Sequence, residues 1–191
     1  MNIKEAVKSV YKFMKKDSWA SLVITLGIAA LFILYIFFPL LQWLTGTTLP
    51  LVIVESCSMY HDEVGFEKII TNSIYSRNNI ELEDTNNWIF KKGLTKGDII
   101  FVMGPKNIEK GDVIIFQGGS AHPIIHRVVD SEEPYATKGD NYKTNSGQLS
   151  GEKLIIEEQL IGKAVFKIPY LGWVKLIFFD IGSDNPGRCK I

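Results

Sequence analysis

From Ser18 to Val54 the chain carries no charged side chain, and this stretch constrains its architecture more than any other feature. Its centre, Ala20 to Leu41 (ASLVITLGIAALFILYIFFPLL), is softened only by Ser, Thr, Gly and Pro. As a helix it would be about 33 Å long, close to the roughly 30 Å hydrocarbon core of a bilayer. Trp19 and Trp43 flank it, where aromatic rings favour the boundary between lipid and water. A helix in the core of a soluble protein would rarely stay uncharged on every face for about six turns. A cleavable leader would have a shorter apolar region, roughly 7–15 residues, followed by a small-x-small cleavage site. Neither holds here, so residues 19–44 are expected to be a retained transmembrane anchor.

The flanks predict its direction. Lys4, Lys8, Lys12, Lys15 and Lys16 precede the apolar run against Glu5 and Asp17, whereas Glu55, Asp62, Glu63 and Glu67 follow it before the first base, Lys68. Positive charge resists crossing a membrane, so residues 1–18 are expected as a cytoplasmic basic tail and residues 45–191 on the exported side of a cell or endoplasmic-reticulum membrane. Within the tail, Ile3 to Met14 has helical periodicity. It reads equally as a helix along the inner leaflet or as a solvated basic segment. Over the whole chain 21 basic residues balance 21 acidic ones, which speaks against a polyanionic partner such as nucleic acid.

Past Pro50 the texture changes from helix to strand. Residues 51–55, 98–103, 113–117, 124–130, 135–138 and 161–168 are short β-rich runs, separated by Lys-Gly-Asp turns at 96–98, 110–112 and 138–140 and by Gly118-Gly119. A mainly-β compact domain follows, with no long amphipathic helix. Residues 60–93 interrupt this pattern with an Asn-rich, charged stretch. It is expected as a surface excursion: a flexible loop, or a short hairpin or helix of its own, serving as a lid or as a neutral insertion. Cys57 and Cys189 form no disulfide framework; they would pair only if the fold brought them together, and unpaired thiols are the expectation.

Chemistry concentrates in VIVESCSMYH (52–61), PIIHRVVD (123–130) and TKGDNY (137–142). Singly each is ordinary: a serine after a strand is usually a turn residue, and a lone histidine in a strand is usually structural. Together they supply a hydroxyl, an imidazole and a carboxylate. Attack on an amide by serine needs all three, because the hydroxyl is a poor nucleophile until a base takes its proton, and a carboxylate fixes the tautomer of that base.

The order Ser-x-Ser-Met, Lys-Gly-Asp-Val-Ile-Ile-Phe, His-Arg-Val and Thr-Lys-Gly-Asp-Asn, with the tail Ile-Pro-Tyr-Leu-Gly-Trp-Val at 168–174, resembles the type I signal peptidases. His126 stands where bacterial members carry a lysine, so the similarity is to the serine–histidine branch of archaea and the endoplasmic reticulum. The resemblance implies a signal-peptidase-like β domain behind its anchor, with Ser58 as nucleophile and His126 as general base. It implies an oxyanion site from Ser58 N–H and the Ser56 hydroxyl, and Asp140 as the acid that orients His126. Branch members usually carry a second aspartate a few residues on; here Asn145 and Ser146 occupy that stretch and the next acid is Glu152. Cys57 replaces the usual glycine between the serines.

The resemblance further implies signal-peptide-bearing precursors as substrates, the lipid bilayer and the secretion translocon as partners, and no cofactor. Cys57 would point away from Ser58 in an extended strand. His61 and His122 read as loop or strand-end residues; His122 and His126, four residues apart and on one face of a regular strand, have no third ligand nearby and predict no metal site. Lys138 is a minor alternative base. Leu171 to Ile181 is too short and too charged to span a membrane, so it either dips into the interface or packs on the β domain. Two other readings stand beside the housekeeping peptidase: a maturation peptidase of the same fold dedicated to few substrates, and an inactive tethered β domain that binds export partners.

Overall fold

The structure is a computed structural model and describes residues 2–16, 18–61, 66–179 and Cys189. It divides into two units, one up to Leu44 and one from Thr45. The first holds helix α1 (Ile3–Met14) and helix α2 (Trp19–Thr45). Ser18 caps α2 by accepting the Ser21 N–H at 3.2 Å, and the Ser21 hydroxyl donates to the Phe13 carbonyl at 2.8 Å, which fastens the end of α1 to the start of α2. The ladder of α2 widens to a π-helical turn at Ile33–Phe37. This turn precedes Pro39, which has no N–H to give the Tyr35 carbonyl and crowds it with its ring. Helix α2 is long and apolar enough to cross a membrane.

The second unit is mainly β. Its six strands are β1 (Leu51–Ile53), β2 (Ile99–Met103), β3 (Val113–Phe116), β4 (Ile124–Asp130), β5 (Ala136–Lys138) and β6 (Leu160–Ile168). They form one sheet in the order β1-β2-β6-β3-β4-β5, with every neighbouring pair antiparallel. Register shifts break the ladders at Phe101/Val102, Ile115/Phe116 and Val128/Asp130. Such bulges bend and twist the strands they interrupt, and the curled sheet can bring β1 and β4 to one cleft although three strands lie between them. The main core joins Ile100, Val102, Val113, Ile115 and Ala164 to Val54, Leu94 and Met59. Met59 thereby anchors the turn that follows β1.

Among the described residues, the excursion at 60–93 is helical and holds no hairpin. Its described part forms helices α3 (Phe66–Ile70) and α4 (Ser73–Arg77) and a 3₁₀ turn at Glu83–Asn87. Phe66, Ile69, Ile70, Ile74, Tyr75 and Ile80 are buried in a cluster of their own with Val129 of β4, and Trp88 and Ala136 pack against it. At the other end of the chain, helix α5 (Trp173–Phe179) buries Leu176 and exposes Val174 and Ile177. The described part of Leu171 to Ile181, residues 171–179, therefore packs on the domain through Leu176, while Asp180 and Ile181 lie outside the described residues. The Trp173 ring covers Gly97, where a Cβ would come within 2.2 Å of it, and the φ of +90° is one that glycine adopts readily.

The cysteines correct the sequence expectation. Cys57 and Cys189 are joined in a disulfide across 132 residues of chain. Their spacing carried no sign of this, because only the tertiary fold returns the chain to the turn between the two serines.

Candidate active site

Strand β1 ends at Ile53, and the chain turns through Ser56-Cys57-Ser58 before Met59 enters the core. Several contacts hold this turn. The Tyr60 N–H donates to the Cys57 carbonyl at 3.0 Å, and Asn141 clamps the turn twice. Its Nδ2 donates to the Cys57 carbonyl and its backbone N–H to the Ser58 carbonyl, both at 2.8 Å. The disulfide ties the Cys57 side chain. Ser58 Oγ lies 3.2 Å from Ser56 Oγ, and among the described residues the Ser58 N–H has no hydrogen-bond partner.

His126 and Arg127 are neighbours on β4, so their side chains leave opposite faces of the strand. The His126 imidazole is buried, and its Nδ1 is hydrogen-bonded to Glu152 Oε1, a carboxylate that is itself fully buried. Glu152 closes the 3₁₀ turn Ser150–Glu152, and its other oxygen accepts the Leu149 N–H. That second bond aims the carboxylate at the imidazole.

Asp140 does not reach His126. Its carboxylate lies on Arg127, with Nη2 2.6 Å from Oδ2 and Nε 3.0 Å from Oδ1. The physical reason is the strand alternation: a guanidinium buried on the far face of β4 needs a carboxylate there, and Asp140 meets it. Burial alone would lower the Arg127 guanidinium, but Asp140 outweighs this and holds it above its ordinary value.

The Lys-Gly-Asp-Asn motif thus does three things. Asp140 neutralises Arg127, Asn141 clamps the serine turn, and Gly139 makes room for the Ser58 carbonyl and the His126 ring. A Cβ at Gly139 would lie 2.8 Å from the Ser58 carbonyl oxygen and 2.9 Å from His126 Nε2. Lys138 is buried with its Nζ on the carbonyls of Gly139 and Asn145, each at 2.8 Å, and burial pushes its ammonium below the usual lysine range. With two of its three donors on those carbonyls, it holds the loop together. His122 lies outside β4, exposed, 3.5 Å from Glu55, and His61 is buried beside the Phe66 ring. Among the described residues no group of His, Cys, Asp and Glu could hold a metal ion.

A cleft of about 560 Å³ gathers these parts. Ser56, Ser58, His126 and Asn145 line it, with Leu51 and Ile53 of β1 on one wall and Pro123, Ile124 and Ile125 on the other. Among the described residues strand β1 is an edge of the sheet, with β2 as its one strand neighbour, and such an edge can pair with another extended chain.

No family model matches the chain. Among curated proteins it is similar to the signal peptidase complex catalytic subunit SEC11C of Homo sapiens and of Canis lupus familiaris, each 29% identical over 96 residues, covering 44% of this chain and 50% of the relative. The subunit sec11 of Sclerotinia sclerotiorum is 29% identical over 102 residues, covering 48% of this chain and 57% of that one. The matches support a signal peptidase I family. The chain spans about half the length of the curated relatives it matches.

Of the residues expected to form the site, Ser56, Ser58 and His126 share the cleft, and Asp140 lies behind it. Glu152, Asn141 and Arg127 had been given no role. One signal was legible for Arg127: an arginine inside an otherwise apolar strand demands a buried partner.

Proposed function

We propose that the chain is a membrane-anchored serine endopeptidase that removes signal peptides from exported precursors, with Ser58 as nucleophile, His126 as general base and Glu152 as the orienting acid. The observation that carries this reading is the buried Glu152–His126 pair, whose imidazole lines one cleft with Ser58. With Nδ1 occupied by Glu152, Nε2 is left to accept the Ser58 proton as Oγ attacks the scissile carbonyl. Ser58 Oγ must swing from Ser56 to the imidazole, which frees the Ser56 hydroxyl to join the Ser58 N–H in stabilising the oxyanion. Collapse of the tetrahedral intermediate sends the Nε2 proton to the leaving amine. Water then repeats the attack on the ester with the same base. Glu152 stabilises the imidazolium in both halves.

The substrate fits the same geometry. An extended peptide pairing with the edge of β1 would direct alternate side chains into the apolar walls. Helix α2 would hold the enzyme where signal peptides lie, raising their effective concentration, with the basic tail inside and the β unit on the exported side.

The test is incubation of the full chain in detergent with a labelled precursor. A single cut after a small-x-small sequence is expected, and placing a bulky residue at the last small position should block it. No cut, or one indifferent to that change, overturns the reading. Panels of different precursors separate a general from a dedicated enzyme. Gly139→Ala should lower kcat by about 10²-fold, because a new methyl displaces the imidazole or the Ser58 carbonyl by a fraction of an ångström to one ångström. Steady-state kinetics check this.

A further inference from the structure

Residues 66–90 pack on the loop that clamps the nucleophile, while the substrate cleft lies elsewhere. Every described residue lining the cleft comes from outside 60–93. A lid would contribute to that lining, and a neutral insertion would have no reason to grip the catalytic loop. This one grips it at several points. Asn72 Nδ2 donates to the Ser146 carbonyl at 2.9 Å, the Tyr75 hydroxyl donates to Asp140 Oδ1 at 3.5 Å, and Lys68 lies over the Tyr142 ring at 5.1 Å. Burial, reinforced by Asp140, raises the Tyr75 phenol well above its usual range, so the hydroxyl keeps its proton and stays a donor. Arg127 completes the grip from beneath. It donates to the carbonyls of Ile89 and Phe90 at 3.0 and 3.3 Å, its guanidinium lies over the rings of Phe66 and Trp88, and it holds Asp140.

The residue after Asp140 is Asn141, whose two bonds hold the carbonyls of Cys57 and Ser58. The chain of contact runs from helices α3 and α4 through Asp140 to Asn141 and the serine turn. The insertion also begins and ends beside Ser58, since the Leu94 N–H donates to the Met59 carbonyl at 2.9 Å. We infer that the insertion is a brace for the catalytic loop, with Asn72 and Tyr75 as positioning residues for Ser58. This rests on the peptidase reading for its effect on rate but not for its effect on the loop.

The test is the double variant Asn72→Asp/Tyr75→Phe in the full chain, which removes two donors while keeping an oxygen at residue 72 to cap the Ile74 N–H, so that the apolar cluster stays in place. Three quantities are compared with wild type: precursor kinetics, the unfolding midpoint, and deuterium exchange of residues 139–146. A brace predicts that kcat falls about tenfold at unchanged KM and that exchange of 139–146 rises. A rise in KM alone makes the insertion a lid and overturns the proposal. So does a lower midpoint with unchanged kcat per folded molecule, or unchanged exchange. If the wild type cuts no precursor, the peptidase reading falls, and the exchange of 139–146 alone decides the brace.

Discussion

Ser58→Ala should remove nearly all precursor cleavage, lowering kcat by about 10⁶ while leaving the unfolding midpoint near that of the wild type. Only one oxygen is lost, from a hydroxyl whose side-chain partner is Ser56. His126→Ala should be as inactive, and the two together no worse than either, because both disable the same step. The histidine variant should also lose stability. The imidazole is the side-chain partner of a Glu152 carboxylate that is 0% exposed, and truncation leaves that charge buried with one bond fewer. Single-turnover cleavage at equal concentrations of folded protein separates the two effects. A Ser58→Ala enzyme with wild-type turnover would remove Ser58 as the nucleophile.

Glu152→Gln should cost about 10⁴ in turnover, as when the acid of a serine–histidine–carboxylate triad is replaced by its amide. The size of the side chain is kept, but the imidazolium formed during attack loses its counter-charge. Asp140→Asn should behave in the opposite manner. Arg127 is 0% exposed and depends on Asp140 for neutralisation, so the change should destabilise the fold by about 3–5 kcal/mol, while turnover of the folded molecules falls far less than 10⁴. Kinetics and unfolding measured on both variants decide between the carboxylates. A catalytic loss of 10⁴ for Asp140→Asn beside an active Glu152→Gln would return Asp140 to the histidine.

The two carboxylates show what a sequence can and cannot display. Strands β2 to β6 were legible because apolar runs bounded by Lys-Gly-Asp and Gly-Gly turns fix both the type and the limits of an element, and Ile124–Asp130 emerged with its expected bounds. Ser58 and His126 were legible as neighbours in one cleft because short ordered motifs carry them. Glu152 was not, since the turn that presents it lies 26 residues past His126 and no local pattern marks an acid that folds back. The helices of the insertion were hidden for another reason. Phe66, Ile69, Ile70 and Ile74 have helical spacing, but the break at Thr71-Asn72 splits them between two five-residue helices, too short for periodicity to show.

The disulfide sets an order of events. Residue 57 has to wait for residue 189. As the chain is made, the turn carrying Ser58 leaves the ribosome long before the cysteine that fastens it exists, and a disulfide forms only where the surroundings are oxidising. A nascent chain therefore carries the Ser58 turn with one tether still unmade, and that tether closes only after synthesis has passed residue 189 and both thiols have reached such surroundings.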